Sequence, residues 1–189
     1  PAVETAINQT GVPGMDGFDA VEDASIIKGD PHVWLDPLNL AAIGQEVAAT
    51  LDQMNPENAG HYDANAAKLT EEMEQINEDY AQALAPCAGQ SLLTSHEAFG
   101  YLAARFDLEQ VGIDPDAEPS PARLRDIQTI IQDRGITTLF IEPTGAEQGD
   151  ADGDEHSHSD WGTKLAATLG VGYQVLDPLE VQINPDKTL

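Results

Sequence analysis

The sequence predicts an α/β fold: two small lobes with parallel sheets flanked by helices, joined by one long backbone helix. The first observation behind this is the run from Asn55 to Pro86. There Tyr62, Ala66, Leu69, Met73, Ile76, Tyr80 and Leu84 recur every three or four residues, with Glu71, Glu72, Glu74, Glu78 and Asp79 largely between them, the pattern of a helix with one apolar face. At 1.5 Å per residue the roughly 29 residues from Pro56 to Leu84 would extend about 43 Å, longer than the radius of any domain this chain can build alone. Such a helix is expected to run alongside two lobes. The second observation is that beyond Pro86 short apolar runs alternate with helical periodicities as far as Leu176, which favours a parallel sheet with helices on both faces. The third is size: 189 residues, 41% of them hydrophobic, suffice for a real core in one domain or two small ones.

Taken in order, Pro1 to Gly29 hold a helical fragment over Ala2 to Asn8 and a turn-rich acidic connection through Gly11, Pro13, Gly14 and Gly17. In DPHVWLDP, Asp30 to Pro37, two prolines bracket a short apolar run that carries His32 and fix its backbone. Leu40, Ile43, Val47 and Leu51 mark a helix over Leu38 to Met54. It leads into the long helix, where Asn55 is a capping type, Pro56 suits the first helical position, Glu57 suits the positive dipole end and Pro86 stops the run. Gln90 to Thr94 reads as a buried strand, Ser95 to Phe106 as a helix starting at the histidine His96, and Val111 to Asp114 as a second strand. Ser120 caps a helix with Pro121 in its first turn, Leu124, Ile127, Ile130 and Ile131 on its apolar face and Gly135 at its end. Ile136 to Ile141 is a β-branched strand, Trp161 to Leu169 a helix, and Val171 to Leu176 a last strand running into Asp177 and Pro178. Ligands of such sheets gather at the carboxyl ends of strands, where His96 and Asp177 both lie.

Lys plus Arg total 8 against 34 Asp plus Glu, a formal net charge of −26. That argues against nucleic acid and anionic membranes as partners and favours cations. Most of these carboxylates read as a solvated face, such as a salt-rich setting selects. No stretch approaches the roughly 18 apolar residues of a membrane span. Cys87, the single cysteine, can form neither an internal disulfide nor a thiolate metal site and reads as a small buried apolar residue. The chain begins at Pro1 with no signal peptide in view, so an upstream segment is expected before it.

Three residues are candidates for chemistry: His32 between prolines, and His96 and Asp177 at strand ends. They lie too far apart in sequence for the local spacing of a zinc finger, and a lone histidine is more often a packed junction residue than a ligand. The segments around them carry more. DPHVWLDP, PENAGHYDANAAKL in the long helix, TSHEAFGYLAARFDLEQVGI, AEPSPARLRDIQTII, FIEP and VLDPLE stand in the order found in the metal-specific solute-binding proteins of bacterial ABC importers. From Asp30 to Glu180 the chain resembles the zinc-binding branch of that family.

The resemblance implies two α/β lobes joined by one long helix, with the metal in the cleft between them. On it, residues 1–54 are expected to be the C-terminal part of the first lobe, 55–86 the linking helix and 87–189 the second lobe. His32 and His96 match the family histidines of the PHxWLDP and TSHxAFGY segments, and Asp177 matches the carboxylate of LDPL. The implied metal ligands are therefore His32, His96 and Asp177, three of four. The first family histidine would lie upstream of Pro1, and the helix that usually follows LDPL beyond Leu189. Imidazoles with one carboxylate in a four-coordinate set suit zinc, whereas manganese prefers more oxygen, and manganese-type relatives carry a glutamate where His96 stands. Zinc is thus the expected transported ligand, with copper or nickel able to enter the same site in vitro.

The implied function is that of an extracytoplasmic protein, periplasmic or anchored at the cell surface. As a monomer it captures zinc and delivers it to the membrane permease of an ABC importer, with no enzymatic step. Two other classes stay open. A zinc-dependent hydrolase also uses three protein ligands and an open position, but needs a general base beside the metal; no HExxH is present, and Glu97 is the near candidate. A surface adhesin on the same fold is the other. After FIEP the chain departs from the family with TGAEQGDADGDEHSHSD, whose His156 and His158 read as a zinc-collecting loop or as a solvated insertion. His61 reads as a surface residue and Trp34 as an aromatic packed beneath the site. Without Gly or Pro between Gly60 and Leu84, the long helix is expected to act as a stiff spine.

Overall fold

The computed structural model describes residues 27, 29–113, 119–143 and 158–179. It divides into two units: one holds Asp36–Asp79, the other Gly29–Leu35 together with the chain from Tyr80 onward. In the first unit, helix α1 (Pro37–Met54) starts where buried Asp36 accepts the backbone N–H groups of Leu38 and Asn39 on its carboxylate, at 2.9 and 3.4 Å. Two of the donors that a helix start leaves over are thereby satisfied, by a charge that suits the positive end of the dipole. A short 3-10 turn (Pro56–Asn58) leads into α2 (Ala59–Leu84). The two helices approach closely because Gly44 faces Leu69, where a Cβ would lie 2.5 Å from Leu69 Cδ2.

Two expectations for this helix pair are corrected. Asn55 makes no side-chain cap to the turn that follows it, and its amide is directed toward the Tyr62 hydroxyl. The 3-10 turn intervenes between Asn55 and α2, and Pro56 has no N–H to offer. The apolar stripe of α2 is also less buried than its period predicts: Ala66 is buried, Tyr62, Leu69, Met73 and Leu84 are half-buried, and Ile76 and Tyr80 are 38% and 42% exposed. Periodicity decides which face of a helix is available for packing, and only tertiary neighbours decide how much of it is covered. Tyr80 finds its neighbour in Phe106, stacked with ring centroids 5.5 Å apart. Cys87 is half-buried, in the 3-10 turn Ala85–Cys87.

The second unit is built on one parallel sheet of β1 (Ser91–Thr94), β2 (Glu109–Gly112), β3 (Thr138–Ile141) and β4 (Gly172–Val175), in the order β2-β1-β3-β4. Ser91 stands opposite Glu109, Thr94 opposite both Gly112 and Phe140, and Thr138 opposite Gly172. Helices α3 (Gly100–Arg105), α4 (Pro121–Arg134) and α5 (His158–Leu169) connect the strands. Leu93, Val111, Leu139 and Ile141 from the strands meet Ile127 and Ile131 of α4 and Leu165 and Leu169 of α5 in one buried core, each helix offering residues one turn apart. Ser120 caps α4 by accepting the Arg123 N–H at 3.2 Å, and Gly135, at φ 65°, closes it in the left-handed conformation.

One element differs from its expectation in a way that matters. Residues Ser95 to Glu97 form a bend, and α3 begins only at Gly100, so His96 does not open a helix. The Ser95 N–H donates to the Phe140 carbonyl at 2.8 Å, which prolongs the ladder past β1 and keeps the chain from turning helical there. The expected helix over Ala2 to Asn8 and His156 lie outside the described residues; His158 opens α5, with its side chain likewise outside them. From β1 the chain moves outward to β2, then returns to the other side of β1 for β3 and β4. The crevice between the carboxyl ends of β1 and β3 is therefore the switch point at which open parallel sheets bind ligands.

Candidate metal centre

His32 is buried, and the chain after it closes a 3-10 turn (Val33–Leu35) through the Leu35 N–H to the His32 carbonyl at 3.1 Å. Asp30 Oδ1 accepts the backbone N–H of His32 at 3.0 Å and lies 2.7 Å from its Nδ1. An ionised carboxylate can only accept, so in the neutral imidazole Nδ1 carries the proton and Nε2 the lone pair. That Nε2 faces the Nε2 of His96 at 3.3 Å, with the rings nearly perpendicular at 86°. Two nitrogen donors on one tetrahedral zinc, each about 2.0–2.1 Å from the ion, are themselves about 3.3–3.4 Å apart. The two Nε2 atoms thus stand at the spacing of one edge of such a tetrahedron.

His96 is held from the neighbouring strand. Gln110 Nε2 donates to the His96 carbonyl at 3.2 Å and to Thr94 Oγ1 at 3.0 Å, while Arg123 Nη2 donates to the Gly112 carbonyl at 2.7 Å. At Gly112 any side chain would overlap Glu97; the absent Cβ lets Glu97, itself exposed, lie over the end of β2.

Asp177 stands two residues past β4, half-buried, and its Oδ1 accepts the Leu179 N–H at 2.8 Å in a turn where Leu179 has φ 58°. It shares the carboxyl edge of the sheet with His96, with β3 between them. Trp34 ties this corner to His32: its indole N–H donates to the Pro178 carbonyl at 2.9 Å, and its ring meets the His32 ring edge-on at 5.4 Å. Leu35, Ala98 and Phe99 form a small buried cluster on which Trp34 and Leu176 pack. One patch of apolar surface therefore fastens the segments of all three expected ligands.

The structure brings His32 and His96 together. Among the described residues no group of three or more His, Cys, Asp or Glu side chains is close enough to hold an ion, so Asp177 stands on the same rim without closing a three-donor set. His61 is exposed on α2 with its Nε2 3.2 Å from the Asn65 amide, as a surface residue should be. Sequence reasoning missed Asp30 and Gln110. For Asp30 a signal existed, a carboxylate two residues ahead of a candidate ligand with Pro31 fixing the turn between them; Gln110 had none.

No helix of the described residues is long and apolar enough to cross a membrane. The zinc-binding protein AdcA of Streptococcus pyogenes is 34% identical over 154 residues, which cover 80% of this chain and 28% of AdcA. The high-affinity zinc uptake system protein ZnuA of Paracoccus denitrificans is 40% identical over 116 residues, 60% of this chain and 36% of that protein. Among solved structures, the laminin-binding protein Lbp of Streptococcus pyogenes superposes with a TM-score of 0.75 at 30% identity, over 90% of this chain and 65% of that one. The chain thus spans well under half the length of these two curated relatives. Residues 2–188 match the family described as zinc-uptake complex component A, periplasmic (ZnuA). With the match running through every element of both units, the chain belongs to the zinc-uptake complex component A family.

Proposed function

We propose that this chain is the zinc-capturing part of an extracytoplasmic solute-binding protein, periplasmic or anchored at the cell surface. In this reading it holds the ion through His32, His96 and Asp177 and, as a monomer, hands it to the membrane permease of an ABC importer. The observation that carries the proposal is the 3.3 Å between the Nε2 atoms of His32 and His96 at the switch point of the sheet. Imidazole donors with one carboxylate suit zinc better than manganese, and the names of AdcA and ZnuA state zinc binding and zinc uptake for those relatives. Asp177 is the adjustable member: a carboxylate in a turn past the last strand can move onto an ion already held by two imidazoles. The organisation into residues 1–54, 55–86 and 87–189 belongs to the same proposal, with His32 in the first part and His96 and Asp177 in the third; the short segment Gly29–Leu35 that carries His32 packs with the unit that holds the sheet.

Competition for zinc against a chromophoric chelator tests the reading in the wild-type chain, His32→Ala, His96→Ala and His61→Ala. Loss of either facing imidazole is expected to weaken zinc binding by more than the roughly 10–100-fold that outer-shell changes produce, and His61→Ala to leave it unchanged. Equal affinities for His96→Ala and His61→Ala would overturn the assignment.

A further inference from the structure

We propose that Asp30 is a positioning residue for ion capture, setting the tautomer and aim of His32, and that Gly100 is the seat that lets it do so. The proposal rests on the reading of His32 as a ligand. Asp30 Oδ1 is bonded twice to the same residue, to the His32 backbone N–H at 3.0 Å and to the ring Nδ1 at 2.7 Å. The first bond fixes where the His32 backbone stands relative to the carboxylate, and the second fixes the rotation of the ring. Together they leave Nε2, and no other ring atom, directed at His96. A carboxylate behind an imidazole also raises the electron density of the far nitrogen, which makes it a better donor to a cation.

The other carboxylate oxygen accounts for Gly100. A Cβ at Gly100 would lie 2.5 Å from Asp30 Oδ2 and 3.5 Å from Gln110 Oε1. The backbone there has no need of a left-handed conformation, because Gly100 is the first residue of α3; what it supplies is room. The Tyr101 hydroxyl, from the next residue of α3, donates to the Asp30 carbonyl at 3.3 Å, so the start of that helix grips Asp30 from two sides. A methyl group at Gly100 would force the carboxylate to rotate, and rotation breaks its bonds to His32. Asp30 is short, so the fold can absorb the movement, whereas the aim of His32 cannot.

The test uses the 189-residue chain with zinc alone as the probe. Asp30→Ala should weaken zinc binding about 10–100-fold. Asp30→Asn, whose amide oxygen can still accept both bonds, should recover most of that loss. Gly100→Ala should weaken binding in the same direction with no fall in thermal midpoint, since alanine is the better helix former, so a folding defect cannot account for it. In the zinc-free protein, nitrogen-15 NMR of the histidine side chains should show the His32 proton on Nδ1 in wild type and Asp30→Asn, and a shift toward Nε2 in Asp30→Ala. An unchanged tautomer in Asp30→Ala, or wild-type affinity in Asp30→Ala while His32→Ala loses binding, overturns the role of Asp30 and leaves the ligand assignment standing. Wild-type affinity in His32→Ala removes the ligand assignment and the role of Asp30 with it.

Discussion

The two corners of the candidate centre are built differently. Around His96 the backbone is tied at each step: Ser95 to Phe140, Thr94 to Ile113, the His96 carbonyl to Gln110 and the Gly112 carbonyl to Arg123. Around Asp177 the backbone is held on one side only, by β3. β4 is exposed along its length, with Tyr173 and Val175 at 52% and 59%. Among the described residues the aspartate side chain bonds only within its own turn, and its segment is tied to the rest of the centre next door, by the Leu176 N–H to the Ile141 carbonyl at 2.8 Å, the packing of Leu176 on the Leu35 cluster and the Trp34 bond to Pro178. A donor pair fixed before the ion arrives loses little freedom on binding, while a donor on a loose edge must be ordered at that moment. On the proposed ligand set, the contrast gives the imidazoles the part of recognition and the carboxylate that of closure.

Stability separates the corners most strongly. Leu139 of β3 is fully buried in the core between α4 and α5, and Leu139→Ala should destabilise the sheet unit by about 2–5 kcal/mol. Val175→Ala, at the end of β4 two positions before Asp177, should stay within about 0.5 kcal/mol. Urea unfolding followed by the fluorescence of Trp34 and Trp161 measures both. A loss at Val175 as large as that at Leu139 would show β4 to be as firmly held as β3, and the comparison would fail.

Zinc affinity gives the next effect in size. Asp177→Ala should weaken binding about tenfold, near 1.4 kcal/mol, and clearly less than His96→Ala. Asp177→Asn keeps an acceptor for the Leu179 N–H and so keeps the turn, but loses the charge that would close on the ion. The two variants should therefore bind zinc alike, because charge and not turn geometry is what Asp177 contributes. If Asp177→Ala costs as much as His96→Ala, the carboxylate belongs to the prebuilt part of the centre.

The same contrast explains which parts of the molecule were legible in the sequence. Strands and helices of the sheet unit could be read because each has a local cause: the period of Leu93, Ile127, Leu139 and Leu165, the Ser120 cap, the glycine at Gly135. His96 could be placed at a strand end and His32 between two prolines, though their 3.3 Å meeting depends on non-local packing that no local pattern contains. The start of α3 was misplaced for that reason, since the bond holding Ser95 extended comes from Phe140, far along the chain. Burial of α2 was overread because an apolar stripe has the same period whether or not anything covers it. Asp30 and Gln110 escaped because residues that orient a donor need no characteristic spacing from it.

The smallest expected effect lies in the helix pair of the first unit, where the Asp52 and Asp63 carboxyls are held side by side. Partial burial of Asp52, the like charge of Asp63 and a hydrogen bond shared with the Asp63 carboxyl push the Asp52 carboxyl above its ordinary value. When both groups are ionised neither can donate, and Asp52 Oδ1 is closed off from solvent without a donor. A proton on Asp52 gives it a donor toward Asp63, so the folded helix pair binds that proton more tightly than the unfolded chain does. Stability must then fall as pH rises from the ordinary carboxylate range through the raised value of Asp52. Asp52→Asn supplies a permanent donor to Asp63 and should raise the thermal midpoint slightly at neutral pH. That gain should vanish on acidification below the ordinary carboxylate range, where wild type holds its proton as well. Circular dichroism at 222 nm, followed against temperature at several pH values, measures it. A gain that persists unchanged into acid would mean the asparagine helps by packing or propensity, and that the two carboxyls do not share a proton.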